Sequence, residues 1–268
     1  MSELLSTTFE TLLVETPQSQ VMVVTLNRPA VRNALNTAMM TELRDLFQQV
    51  YINTGALRSI VVTGAGDKAF CAGGDLKQRN TMTDVEWQQQ HAILEQAIEA
   101  IMACPIPLIA AVNGDCMGGG LEVALCCDFI YAADNARFAL PEGKLGIMPG
   151  GCGTQNLTRA VGERRAKELI LTGRVFDAAS AHEWNLVNEV VTQSGLVNVV
   201  LAVADEISQL GPLSAMQIKQ SIDVASHTDL KTGYAFELAA YNRLIPTRDR
   251  VEGVAAFNEK RKAEFTGQ

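Results

Sequence analysis

The stretch "CMGGGLEVALCCD", residues 116–128, sets three glycines directly before a glutamate and an apolar run. Glycine weakens a helix, so three in a row at the head of a helix that reads as buried ask for a chemical reason. A glycine turn that opens a helix leaves backbone N–H groups unpaired at the positive end of the helix dipole, and that suits an oxyanion. "AGGD", residues 72–75, has the same form, a strand-to-helix turn in which Asp75 can cap the helix "LKQRN". Two such turns, each aiming one N–H at the same carbonyl oxygen, would serve an enzyme that stabilises an enolate or thioester oxyanion. Tight packing is the competing use of either turn.

Two carboxylates accompany these turns. Glu122 lies in the first turn of the helix among residues that otherwise look buried, a costly place for a charge without a task or a partner. Glu142 follows Pro141 in "FALPEGKLG", and the plain reading there is charge complementarity at the start of a short helix. Twenty residues of separation leave the distance between the two open.

Other patterns compete. "GDCMG", residues 114–118, fits a nucleophile elbow with Cys116 as nucleophile, and Asp177, His182 and His227 follow in the chain order such a hydrolase needs. A buried structural cysteine is the alternative. "TGAG", residues 63–66, follows a strand but is not completed to a dinucleotide fingerprint, because position 69 is Ala69 and "FCAGGD" begins a new turn.

These residues hang on a regular alternation. "VMVVTL", "SIVVTG", "LIAAV" and "DFIYAA" are short apolar runs that read as buried strands, each followed by a glycine- or asparagine-containing turn. Helices are expected at about 37–52, capped by Asn36 or Thr37, and at about 84–103 and 118–127. After about residue 160 helical spacing dominates, with "LVNEVV" as the remaining strand candidate. The C-terminal part breaks at "IPTRDR" and ends in a narrow stripe of Val251, Val254, Ala255 and Phe257, able to pack on its own core or on a neighbour. The expected architecture is α/β, with a catalytic core over residues 1–195 and a helical extension over 196–268.

Composition bounds the partners. The 268 residues can bury a core without disulfide or metal staples, and 47% hydrophobic with 19% charged residues is an ordinary globular balance. The net charge of −8 opposes general attraction to nucleic acid or anionic lipid. The six cysteines form no C-x-x-C pair and the three histidines are scattered, which argues against zinc. Residues 1–20 show no basic region followed by an apolar stretch, and no apolar run reaches the roughly 18–20 residues of a membrane span. A cytoplasmic protein with reduced thiols is the expectation.

"AFCAGGDLK", "AAVNGDCMGGGLEVALCCDFIYAADNARFALPEGKLGIMPGGCGTQNLTRAVG" and "AKELILTGRVFDAASAHEWNLVNEVV" resemble the enoyl-CoA hydratase/isomerase (crotonase) superfamily over nearly the whole chain. The resemblance implies a spiral of repeated ββα units with a helical C-terminal region that forms homotrimers, often paired into hexamers. It implies an oxyanion hole from the amides of Gly74 and Gly119, with Gly74 standing where alanine is commoner. Glu122 and Glu142 match the glutamate pair of the hydratases. Gly150 matches a turn that positions the water. The acyl-CoA thioester is implied to run along Ala72, Gly74, Asp75 and Leu76, with Lys77, Arg32 and Lys260 near phosphate, and coenzyme A belongs to the substrate, so no separate cofactor is expected. An enoyl-CoA hydratase of lipid metabolism follows, with a delta-isomerase or a methylglutaconyl-CoA-type hydratase, suggested by the tail "IPTRDRVEGVAAFNEKRKAEFTG", as alternatives. Gly143, smaller than its usual counterpart, is expected to open the acyl pocket, and Asn156 replaces a frequent arginine.

Overall fold

The computed structural model describes residues 8–268; the first seven residues of the expected catalytic core, and of the segment searched for a leader, lie outside them. A six-stranded sheet takes the order β1-β2-β3-β5-β7-β10, built from Leu12–Gln18 (β1), Val21–Leu26 (β2), Ser59–Gly64 (β3), Leu108–Val112 (β5), Phe129–Ala133 (β7) and Glu189–Val191 (β10). β1 pairs antiparallel with β2, and every other neighbour is parallel. A second sheet runs β4-β6-β8-β9, from Ala69–Cys71 (β4), Asp115–Met117 (β6), Arg137–Ala139 (β8) and Phe176–Asp177 (β9). The chain thus alternates between sheets: β3 then β4, β5 then β6, β7 then β8, each pair followed by helix.

The helices are Thr37–Ile52 (α1), Leu76–Arg79 (α2), Asp84–Met102 (α3), Gly119–Leu125 (α4), Gly153–Val161 (α5), Glu163–Thr172 (α6), Ala178–Glu183 (α7), Leu196–Ser208 (α8), Pro212–Ala225 (α9), Leu230–Leu244 (α10) and Arg248–Glu259 (α11). Asn36 caps α1 by accepting the Met39 amide at 3.0 Å. Thr83 and Glu86 form a reciprocal capping box at the start of α3.

The central strands β3 and β5 are buried on both faces, which is why they read as unbroken apolar runs. Alternate residues divide between two cores. Met22, Val24, Ile60, Val62, Ala110 and Val112 join the main core with the buried faces of α1 and α3, while Val21, Val61, Ile109 and Ala111 meet Leu196, Val200 and Ala204 of α8 on the other side.

Several expectations change in the structure. The segments "AGDKAFCAGGD", "NGDCMGGG" and "DNARFALPE", read as turns, each contain a three-residue strand of the second sheet. The C-terminal region breaks at the expected "IPTRDR", where Thr247 caps α11, and also before Asp229, which caps α10. The stripe Val251, Val254 and Phe257 does not pack on its own core; Phe257 is 84% exposed. Among the described residues no single helix is long and apolar enough to cross a membrane.

Candidate functional site

Three neighbouring strands of the small sheet end in the turns singled out above: β4 runs into Ala72–Gly74, β6 into Gly118–Gly119, and β8 into Leu140–Glu142. β4, β6 and β8 are parallel, so all three turns emerge at the same edge. Around them lies a cavity of about 840 Å³.

The two glycine turns are locked together. Gly73 has φ +91°, and a Cβ there would stand 2.8 Å from the Met117 carbonyl oxygen and 3.4 Å from the Gly119 nitrogen, so only glycine allows this approach. On the outer side, Leu35 donates its amide to the Gly73 carbonyl at 2.8 Å, and Asp75 donates to the Leu35 carbonyl at 2.9 Å. The Gly74 nitrogen lies 3.9 Å from the Cβ position of Gly119. Among the described residues neither the Gly74 nor the Gly119 amide donates to a protein acceptor. Gly120 fastens α4 to β4, since a Cβ on it would overlap the Cys71 carbonyl oxygen at 2.4 Å.

Glu122, on α4, is 2% exposed. Its Oε1 accepts the Gly151 amide at 2.7 Å and the Gly153 amide at 3.0 Å. Burial raises its pKa above the ordinary carboxylate value, opposed by these two amides and by the neighbouring His91 and Arg79 side chains. Glu142 opens a 3₁₀ turn, Glu142–Leu145, and is 9% exposed. Burial, helped by the nearby Glu122 charge, lifts its pKa to about 7. Its Oε2 is buried without a hydrogen-bond partner. The two groups are therefore unlike: one carboxylate is held by two donors on a single oxygen, and the other has an oxygen with nothing to bind.

Ala72, Gly74, Leu76 and Gly150 line the cavity with the two glutamates. A Cβ on Gly150 would meet the His91 ring at 2.5 Å, and it is the amides of Gly151 and Gly153 that hold Glu122. Asp75 caps α2, accepting the Lys77 and Gln78 amides at 3.2 Å, and pairs with Arg28 at 3.0 Å. Arg32 pairs with Asp115 at 3.2 Å, Lys77 is exposed, and Lys260 ends α11 in the left-handed region. None of these last three lines the cavity. Gly143 does not either; it is exposed, and a Cβ on it would meet nothing within 4 Å, so it does not widen the acyl pocket. Asn156 instead ties α5 to α4 through the Leu125 carbonyl at 3.3 Å.

Two basic cavity residues escaped the sequence reading. Arg79, at the end of α2, lies over the Trp87 ring at 5.0 Å, and His91 on α3 sits 3.3 Å from Glu95. Their only sequence signal is position, four and sixteen residues beyond Asp75. The Cys116 hydrolase is set aside by geometry: the thiol is fully buried on β6, and burial raises its pKa well above the usual range. His182 turns its Nδ1 to the Val187 carbonyl at 3.0 Å.

The family model described as "Enoyl-CoA hydratase/isomerase" matches residues 16–268. The chain is 38% identical over 257 residues to a crotonyl-CoA hydratase of Syntrophomonas wolfei, covering 96% of this chain and 98% of that protein. It is 40% identical over 256 residues to the mouse enoyl-CoA hydratase domain-containing protein 2, mitochondrial, covering 94% and 86%. A crystal structure of an enoyl-CoA hydratase from Bacillus anthracis superposes with a TM-score of 0.95 at 39% identity, covering 97% of this chain and all of that one. With its two interlocked sheets and the glycine turns that carry Glu122 and Glu142, the chain belongs to the enoyl-CoA hydratase/isomerase family.

Proposed function

We propose that this protein is an enoyl-CoA hydratase that adds water across the double bond of a 2-enoyl-CoA to give a 3-hydroxyacyl-CoA. The observation that carries the reading is one cavity holding two buried, unlike carboxylates beside two backbone amides with no protein acceptor. The amides of Gly74 and Gly119 receive the thioester oxygen as it gains enolate character. Glu122 is the base: Gly151 and Gly153 occupy its Oε1, which leaves Oε2 to take a proton from water. That water attacks the β-carbon. Glu142 is the acid: burial keeps its carboxyl protonated up to about pH 7, and the unpartnered Oε2 delivers the proton to the α-carbon. Coenzyme A enters and leaves as part of the substrate.

Hydration of crotonyl-CoA, followed by loss of the conjugated absorbance, tests this. Glu122→Gln and Glu142→Gln each lower kcat by about 10²- to 10⁴-fold in a folded protein. Full activity in either removes the two-carboxylate assignment. A 3-enoyl-CoA converted only to its 2-enoyl isomer, with no 3-hydroxyacyl product, would place the enzyme among the isomerases.

We further propose assembly into trimers or hexamers through the C-terminal helices. The support is apolar surface left on them, with Leu230 89%, Tyr241 65% and Phe257 84% exposed.

A further inference from the structure

We propose that Arg79 selects the acyl group: its guanidinium receives a carboxylate at the far end of the acyl chain, so the favoured substrate is a 2-enoyl-CoA that carries a second, free carboxylate. The proposal rests on the hydratase reading for where the thioester lies.

Arg79 is half-buried in the wall of the same cavity as Glu122 and Glu142. Arg28, Arg32, Arg137 and Arg174 all have carboxylate partners, but among the described residues no carboxylate lies within ion-pair distance of Arg79. Taking a cation out of water without an adjacent anion is costly. Burial already lowers the Arg79 pKa, and the two glutamates act on it without touching it.

The side chain is nevertheless fixed in place. Its Nε donates to Gln90 Oε1 at 2.8 Å. Gln90 is 2% exposed, and its own Nε2 donates to Thr37 Oγ1 and Gln78 Oε1, both at 2.9 Å. The Trp87 ring covers the guanidinium 5.0 Å from its centroid. Nη1 stands 2.9 Å from the Cβ position of Gly74, so the free end of the guanidinium lies beside the oxyanion turn. One edge is thus held by a buried network while the Nη1–Nη2 fork has no protein acceptor, the arrangement that grips a carboxylate through two parallel hydrogen bonds. The phosphates of coenzyme A are separated from the thioester by the pantetheine arm. Pantetheine itself is uncharged, so near the thioester the acyl chain is the part of the substrate that can bring a carboxylate to this fork.

Glutaryl-CoA and pentanoyl-CoA have the same number of acyl carbons, differ in the terminal carboxylate and undergo no hydration. Calorimetric titration of the intact protein with each gives a binding ratio that cancels any loss of folded fraction. The expected ratio favours glutaryl-CoA by about 10- to 100-fold, the range a charge-assisted pair supplies. It falls to about one in Arg79→Gln, and Arg79→Lys keeps part of it because the charge remains without the fork. Equal binding of the two thioesters by the wild type, or a preference that survives in Arg79→Gln, overturns the proposal. So does equal weakening of both ligands, which would mark Arg79 as structural. Hydration of glutaconyl-CoA and 2-pentenoyl-CoA is measured alongside. Turnover of neither removes the hydratase reading, while a lost binding preference removes only the selectivity proposed for Arg79.

Discussion

Gly153 donates its amide to Glu122 Oε1 at 3.0 Å, and a Cβ on this glycine would stand 2.8 Å from that same oxygen. A side chain at position 153 would therefore displace the Glu122 carboxylate from the amide that orients it. Gly153→Ala pushes Glu122 off its two amides and lowers kcat for crotonyl-CoA by about 10- to 100-fold, in line with a misplaced catalytic group. Circular dichroism like that of the wild type, with kcat unchanged, would remove this role.

The two carboxylates predict the pH profile. Glu142 must be protonated to donate, and its pKa is lifted to about 7, so kcat/KM declines as pH rises through about 7. Glu122 must be ionised to accept a proton, and burial raises its pKa, so the acid limb lies above the usual carboxylate range. In Glu142→Gln the alkaline limb disappears from the residual activity. A wild-type profile flat from about pH 6 to about 9 contradicts the assignment of Glu142 as the acid.

The same shift acts on stability. Folding raises the Glu142 pKa from 4.5 to about 7, so the fold favours the protonated form. Its contribution is full below about 4.5 and is lost as pH rises through about 7. Glu142→Gln removes the buried charge and melts a few degrees above wild type at about pH 8, and the gap closes toward about pH 5. Scanning calorimetry at the two pH values checks both the sign and the closure.

Thiol chemistry separates the hydratase from the Cys116 hydrolase. Cys116 is fully buried, whereas Cys152 is half-buried and lines the cavity. Brief alkylation of the native enzyme, read by peptide mass, labels Cys152 before Cys116. Cys116→Ala costs about 1 kcal/mol of stability and leaves the kcat/KM of the folded enzyme unchanged.

The exposed apolar stripe of α11 predicts the assembly. Phe257→Asp shifts the sedimentation coefficient from that of a trimer or hexamer toward that of a monomer, because a charge on a buried contact carries a desolvation cost. A wild type that sediments as a monomer at all concentrations overturns the proposed assembly.

Much of this was legible along the chain because long apolar runs and capped helices declare themselves. Thr37–Ile52 and Asp84–Met102 lie within a residue of where side-chain spacing and caps put them. β4, β6 and β8 do not declare themselves, since three residues beside glycine turns carry no periodicity. Glu122 stands out as a carboxylate in an apolar helix, but the amides of Gly151 and Gly153 are main-chain groups, and "MPGGCGT" does not say which of them turns toward it. Arg79 is hidden for a different reason: a basic residue closing a four-residue helix looks like surface charge until α3 covers it.

Neighbouring strands stand about 4.8 Å apart, and β4, β6 and β8 lead into the Gly74 amide, the Gly119 amide and Glu142 on that fixed spacing. Two of the three are main-chain amides, which every residue but proline possesses, so most substitutions at Gly74 alter bulk and keep the N–H. Arg79 and His91, by contrast, reach the cavity as side chains of α2 and α3. Substitution therefore acts differently on the two halves of the cavity: a change in the helices alters what the wall offers a ligand, while most changes at the strand ends leave the main-chain donors in place.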